Sequence, residues 1–188
     1  LGLARINQPD SLMAAYLVTS VATFLLLMLR QQTAVYPLFP RNMFARPSVK
    51  AANISHLLVG GALIIGMVTI PLMTNTVMAL SPLEGGLRLM RMTGAMPFGA
   101  VLGGWIAQRT DCRIPTIIGL ALTSLGFFFM STWNLEIGEP WLTTHLAIAG
   151  FGFGLVIAPI ILAATEPVGE AMRGTASGVV TAMRMIGM

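Results

Sequence analysis

The sequence predicts an all-α integral membrane protein, an antiparallel bundle of transmembrane helices. Three observations carry that expectation. Of the 188 residues 55% are hydrophobic and only 10% charged, where soluble domains carry about 25% charge, and the mean hydropathy is +0.80. Apolar runs of the length that crosses about 30 Å of hydrocarbon recur along the chain. Between two of them, in "GGWIAQRTDCRIPTIIGL", the polar and charged positions Gln108 to Arg113 form a short knot. A soluble core does not need some twenty apolar residues on both sides of so short a turn.

In chain order the runs cover roughly 12–29, 55–79, 86–107, 114–133, 141–165 and 174–188. About five are full spans, and the sixth reads as truncated. With Leu1 at the start, this leads us to expect a piece of a larger polytopic protein. Lipid offers no partner to an open sheet edge, so the spans must be helices. Short loops then make neighbouring spans antiparallel.

The chain divides into a first span (1–29), a basic loop (30–50) and a helical bundle (51–188). The formal charge of +4 and pI near 10.2 do not point to nucleic acid, because of where the charge lies. Arg30, Arg41, Arg46 and Lys50 share the one long loop, which has no acid. Cytoplasmic loops carry such an excess of Lys and Arg. On that basis 30–50, 108–113 and 166–173 face the cytoplasm, and 79–86 and 134–140 are external. Trp133 and Trp141 flank the last of these, as aromatic residues do at a membrane boundary. The single cysteine, Cys112, allows no disulfide framework and reads as a reduced thiol.

Helix ends and faces follow. Asp111 can cap the fourth span by accepting from its first free N–H groups, and Pro115 falls in the first turn, where a missing N–H costs little. Small residues recur every four positions: Ala95, Gly99, Gly103 and Ala107; Gly150, Gly154 and Ala158; Gly174, Gly178 and Ala182. Such ridges let helix backbones approach closely in lipid. Pro71 and Pro159 lie inside spans, where each removes a backbone hydrogen bond and can act as a hinge.

No enzyme site is visible. The chain has no G-x-x-x-x-G-K-[ST], C-x-x-C or H-E-x-x-H pattern, and "GFGFG" (150–154) lacks the dinucleotide spacing. No cofactor or metal is expected. His56 and His145 are placed near opposite membrane faces in helix-end roles, so they share no metal. The arginines inside spans say more. Arg184 follows Arg173 by three turns, roughly 16 Å at 1.5 Å per residue, which puts it near the midplane. A cation there faces a cavity or a partner. Arg91 lies one turn before Ala95 and should face protein, whereas Arg88 is near enough to the surface to snorkel. These three are the candidate pathway or gating residues. All seven acids fall in loops or at helix ends, so a proton-coupling carboxylate is expected elsewhere.

"GWIAQRTDCR" (104–113) resembles the cytoplasmic loop signature of the major facilitator superfamily, G-x-L-A-D-R-x-G-R-[RK]. Gly104, Ala107, Arg109 and Arg113 match in place, while Gln108 replaces the Asp and Asp111 the second Gly. Three further stretches are similar to the C-terminal half of fourteen-span drug:proton antiporters. They are "YPLFPRNMF" (36–44), "SPLEGGLRL" (81–89), and the pair "GFGFGLVIAP" (150–159) and "RGTASGVVTAMRMIG" (173–187), the last including Arg184. The resemblance covers about 30–188. It implies a multi-pass inner-membrane exporter of amphipathic or toxic small molecules, a multidrug-efflux antiporter working by alternating access. Its partners would be the lipid bilayer, a small-molecule substrate and protons, the coupling residue lying in a missing N-terminal half. Span 12–29 would be a linker helix. The alternatives are a uniporter or symporter of polar metabolites, and a scaffold or receptor that transports nothing.

Overall fold

The computed structural model describes residues 11–33 and 46–188, and these are helices and short connections without a strand. The stretch 36–44, with Arg41, and Asp10 lie outside the described residues. The chain forms two units, Leu1–Arg41 and Asn42–Met188.

The first unit contains α1, Ser11–Thr33. Thr19 and Thr23 donate their hydroxyls to Ala15 O and Thr19 O, both at 2.7 Å, which satisfies two polar groups within an apolar helix. The helix runs past residue 29, where the sequence had the span end. The polar turn Arg30–Thr33 remains helical because charged helix ends can sit among headgroups.

The second unit holds α2 (Pro47–Leu72), extended by a π-turn over Met73–Val77, then α3 (Pro82–Arg109), α4 (Arg113–Ser131), α5 (Glu139–Thr165) and α6 (Glu170–Gly187). Here too the expected loop gives way: α2 starts at Pro47, not after residue 50. Proline is suited to a first helical turn, having the right φ and no N–H to leave unpaired. Among the described residues α2 with its π-turn, α4 and α5 are long and apolar enough to cross a membrane. The 28 residues of α3 would span roughly 42 Å, but Arg88 and Arg91 lower its hydropathy.

The hub is α5, which packs against α2, α3, α4 and α6. Its contacts with α3 are backbone to backbone. A Cβ built on Gly150 would strike Met92 O; one on Gly154 would strike Met96 O and lie 2.7 Å from Ala100 N and 2.9 Å from Gly99 Cα. Gly99 in turn abuts Phe151 O. Pro159 removes the N–H that would bond Leu155 O one turn back. At that carbonyl Gly103 approaches, a Cβ there falling 2.7 Å from the oxygen. The opposite face of α5 meets α4 as tightly: Gly152 against Thr123 N, Gly126 against Ala149, Gly119 against Val156.

The fit is different around α2. Gly60 faces Arg184 O, and Gly187 faces Leu57 O, so α6 leans on α2 through its C-terminal half. Phe153, Val156 and Ile160 of α5 fill the space between, with Val59, Leu63 and Val180. Phe127 of α4 meets Phe153 edge-on at 5.9 Å and 86°, the geometry favoured by ring quadrupoles. At the first half of α6, nothing lies within 4 Å of a Cβ built on Gly174 or Gly178. That ridge, read from sequence as a packing face, is without a neighbour among the described residues.

Candidate functional site

Two polar constellations lie within the bundle, one where α3 and α5 begin and one on the seam between α2 and α6.

The first grows from local rules. Ser81 N-caps α3 in a reciprocal box: its backbone N–H donates to Glu84 Oε2 at 2.9 Å, and Glu84 N–H donates to Ser81 Oγ at 3.4 Å. The Ser81 N–H, and then its hydroxyl, hold the Glu84 carboxyl below the ordinary range. One turn on, Arg88 turns inward. Its Nη2 donates to Glu139 Oε1 at 2.5 Å, and Arg91 Nη1 donates to Glu139 Oε2 at 2.5 Å and Thr143 Oγ1 at 2.9 Å. The Arg88 side chain is 8% exposed and that of Glu139 55%. Arg88 therefore does not snorkel. A carboxylate on the neighbouring helix made the inward position cheaper than reaching for the surface. Arg91, and next Arg88, keep Glu139 ionised by lowering its pKa. These residues, with Glu84, Leu87, Pro140 and Thr143, border a cavity of about 690 Å³.

The π-turn of α2 closes this site from the third side. Pro71 has no N–H for Met67 O, and the ladder after it widens, with Met78 N–H bonding back to Met73 O at 3.1 Å. The wider turn presents Thr74 and Asn75. Thr74 is fully buried, donates to Ile70 O at 2.9 Å and accepts from Arg88 Nη1 at 3.4 Å. Gly85 leaves room for Asn75, whose Oδ1 would lie 2.7 Å from a Cβ there. π-turns of this kind are frequent at functional sites.

On the α2–α6 seam, His56 is fully buried and its Nδ1 pairs with Val180 O at 2.9 Å. It is an interior residue, not the helix-end one expected from its position near the start of a span. The tertiary contact with α6 supplies the partner that the local sequence lacks. Arg184, one turn past Val180, is half-buried. His145 does sit towards a helix end: Trp133 Nε1 donates to its Nδ1 at 3.1 Å, and its ring stacks on Phe129 at 5.0 Å.

The loop motif is exposed. Arg109 lies 4.1 Å over the Trp105 ring of its own helix, a cation–π contact. Asp111 Oδ1 accepts from Arg113 N–H at 2.9 Å, capping α4 from one residue before its N-cap, Cys112. The Arg113–Asp111 ion pair is 3.9 Å long and exposed on both sides, a geometry that adds little. Gln108 is exposed, and a Cβ built on Gly104 would lie 3.8 Å from Ala158 Cβ. Burial first, then Glu166 and Asp111, push the Cys112 thiol up, so it is not an activated nucleophile. No cluster of three or more metal ligands occurs among the described residues.

The family model described as Major Facilitator Superfamily matches residues 11–188. The chain belongs to the Major Facilitator Superfamily. It is therefore a transporter-family membrane protein and not an enzyme. Within the Major Facilitator Superfamily it is 41% identical over 159 residues to a triacylglyceride transporter of Mycolicibacterium hassiacum, covering 79% of this chain and 30% of that protein. It is 36% identical over 148 residues to one of Mycobacteroides abscessus, covering 73% and 29%. With one of Mycobacterium tuberculosis it shares 32% over 160 residues, covering 79% and 31%. The chain thus spans about 30% of the length of the curated relatives it matches.

Sequence reasoning missed Glu139 as a partner of the span arginines, and missed the Gly119–Thr123–Gly126 face of α4. The capping box was visible as S-x-x-E at 81–84. Nothing local pairs Glu139 with arginines on another helix.

Proposed function

We infer that the chain forms most of one half-bundle, the C-terminal one, of a longer secondary transporter that exports acylglyceride lipid across the inner membrane by alternating access. The observation that carries this is the division of labour around α5. Backbone contacts through Gly99, Gly103, Gly150 and Gly154 on one face, and Gly119, Gly126 and Gly152 on the other, make α3, α4 and α5 one rigid block. The small-residue ridge at Gly174 and Gly178 stands open beside it. Rigid half-bundles that rock against each other about a midplane site are how alternating access works. The names of the relatives supply the substrate class, and the apolar surfaces suit it.

Arg184 is our candidate for the pathway, while Arg91 and Arg88 would hold the outer ends of α3 and α5 in register. Every described acid is exposed, so a proton-coupling carboxylate would belong to the preceding half. Proton-coupled efflux of amphipathic drugs is the second reading. It is favoured by the methionine-rich spans, whose soft, adaptable side chains accept varied apolar ligands.

The deciding experiment reconstitutes the intact protein in liposomes. Labelled trioleoylglycerol should reach acceptor vesicles faster than in protein-free controls, and residues 1–188 alone should add nothing. Ethidium efflux driven by a proton gradient, with no lipid transfer, would replace the first reading with the second.

A further inference from the structure

Trp133 links a hydrogen bond to a cavity, and neither belongs to the arginine site. It stands in the connection between α4 and α5, half-buried, with its backbone N–H on Met130 O at 3.2 Å. Its indole Nε1 donates to His145 Nδ1 at 3.1 Å. It also walls an apolar cavity of about 210 Å³ that is bordered by Ile65, Gly66 and Ile70 of α2 and by Phe127 and Met130 of α4. The indole packs on the buried cluster to which Ile70 belongs.

The chemistry of that bond is defined. An indole N–H donates and cannot accept. His145 Nδ1 must therefore be bare, as it is only in the neutral imidazole that carries its proton on Nε2. A second proton would go to Nδ1 and set two donors against each other. Turning the ring over gives no relief, because the Cδ2–H then facing the indole accepts nothing. The imidazole is the partner that stays: it stacks on Phe129 at 5.0 Å and 28°, with Trp141 at 6.4 Å, and a positive charge strengthens its hold on aromatic rings. The indole is the partner that leaves, since residue 133 lies outside any helix.

Other charges near the ring are accounted for. Phe129, Trp133 and Trp141 do not titrate. Glu136 in the connection is exposed, and Glu139, nearly two turns before His145, is held by Arg88 and Arg91 of α3. No ion pair or hydrogen bond joins an acid or a base to the imidazole among the described residues. Imidazole is the side chain whose charge changes between about pH 8 and pH 5. We propose that His145 and Trp133 form an acid-released clasp: a proton on His145 frees the indole and opens the cavity between α2 and α4 to apolar molecules.

The test follows the reaction of Ile70→Cys with N-phenylmaleimide in the intact protein, on a cysteine-free background in nanodiscs. Ile70 is 2% exposed on the cavity wall. Thiol chemistry itself depends on pH, so each rate is divided by that of His145→Asn at the same pH. Asparagine offers the indole an acceptor oxygen at the Nδ1 position and does not titrate. The ratio should be about one at about pH 8 and about fivefold higher at about pH 5.5, the weight of one net hydrogen bond. His145→Phe has no acceptor and should react about fivefold faster than His145→Asn at both pH values. A ratio that stays at one in acid overturns the clasp, as does His145→Phe reacting no faster than His145→Asn. Should Ile70→Cys fail to fold, the fluorine NMR signal of fluorotryptophan at Trp133, identified by its loss in Trp133→Phe, decides. It should move between the two pH values in the unmodified protein and stay fixed in His145→Asn, and the same behaviour in both overturns the proposal.

Discussion

Arg88 and Glu139 close a 2.5 Å ion pair between the second turn of α3 and the first turn of α5, and Arg91 takes the other oxygen of the same carboxylate. One acid thus answers two cations that would each be expensive inside a span. Removing it leaves Arg88 buried beside only the Thr74 hydroxyl and the Met78 sulfur. Glu139→Gln should destabilise the bundle by about 1–2 kcal/mol, within the range for a lost charged hydrogen bond. The pH dependence has a definite sign. The carboxyl's folded pKa is lowered by Arg91 and Arg88, so its contribution is fully present above the ordinary carboxylate pKa of about 4.3. It is lost only as pH falls through the lower folded value. Melting curves of Glu139→Gln and the unmodified protein in detergent should differ at pH 7 and converge in acid. A gap that is unchanged at low pH would show that the charge is irrelevant.

Gly154 tests the α3–α5 contact. Any side chain there meets Met96 O and Gly99 Cα, which are backbone and cannot rotate away. Gly154→Val should cost at least about 1–3 kcal/mol through overpacking and sharply lower the amount of folded protein. Gly174→Ala and Gly178→Ala, with open space beside them, should leave the melting temperature of this half-bundle unchanged or slightly raised, alanine being the better helix former. Comparable losses at all three sites would refute the backbone-contact account.

Ala79 closes the π-turn at φ 54, and Leu80 N–H then bonds back to Thr74 O at 3.1 Å. A left-handed conformation is costly for any residue with a Cβ, by about 1–2 kcal/mol. Ala79→Gly should therefore stabilise the protein, by about 1 kcal/mol or somewhat less once glycine's extra unfolded freedom is counted. A rise in melting temperature checks this, and a fall would mean that the Ala79 methyl makes a contact of greater value.

Arg184 is the residue on which stability and transport should separate. If it serves the pathway, Arg184→Ala in the intact protein abolishes transport at near-normal abundance. Arg184→Lys should restore only part, since an ammonium lacks the planar fork of donors. A loss of abundance in step with activity would make its role structural, and normal transport by Arg184→Ala would remove it from the pathway.

By itself the sequence determined the membrane class, the order of the described helices, the short turns after α2, α3, α4 and α5, and the ridges of α3 and α5. These depend on neighbours in the chain: apolar length sets a span, proline and Ser81 set helix starts, and a four-residue repeat sets a face. The loop signature at 104–113 was legible for the same reason, being contiguous. Tertiary structure decided what each face met. It paired Glu139 with Arg88 across 51 positions and His56 with Val180 across 124, and it left Gly174 and Gly178 without a neighbour among the described residues. A small-residue ridge has the same periodicity whether or not a helix covers it. A charge inside a span has the same local sequence whether it snorkels or finds a partner, and only the packing of separate helices chooses between the two.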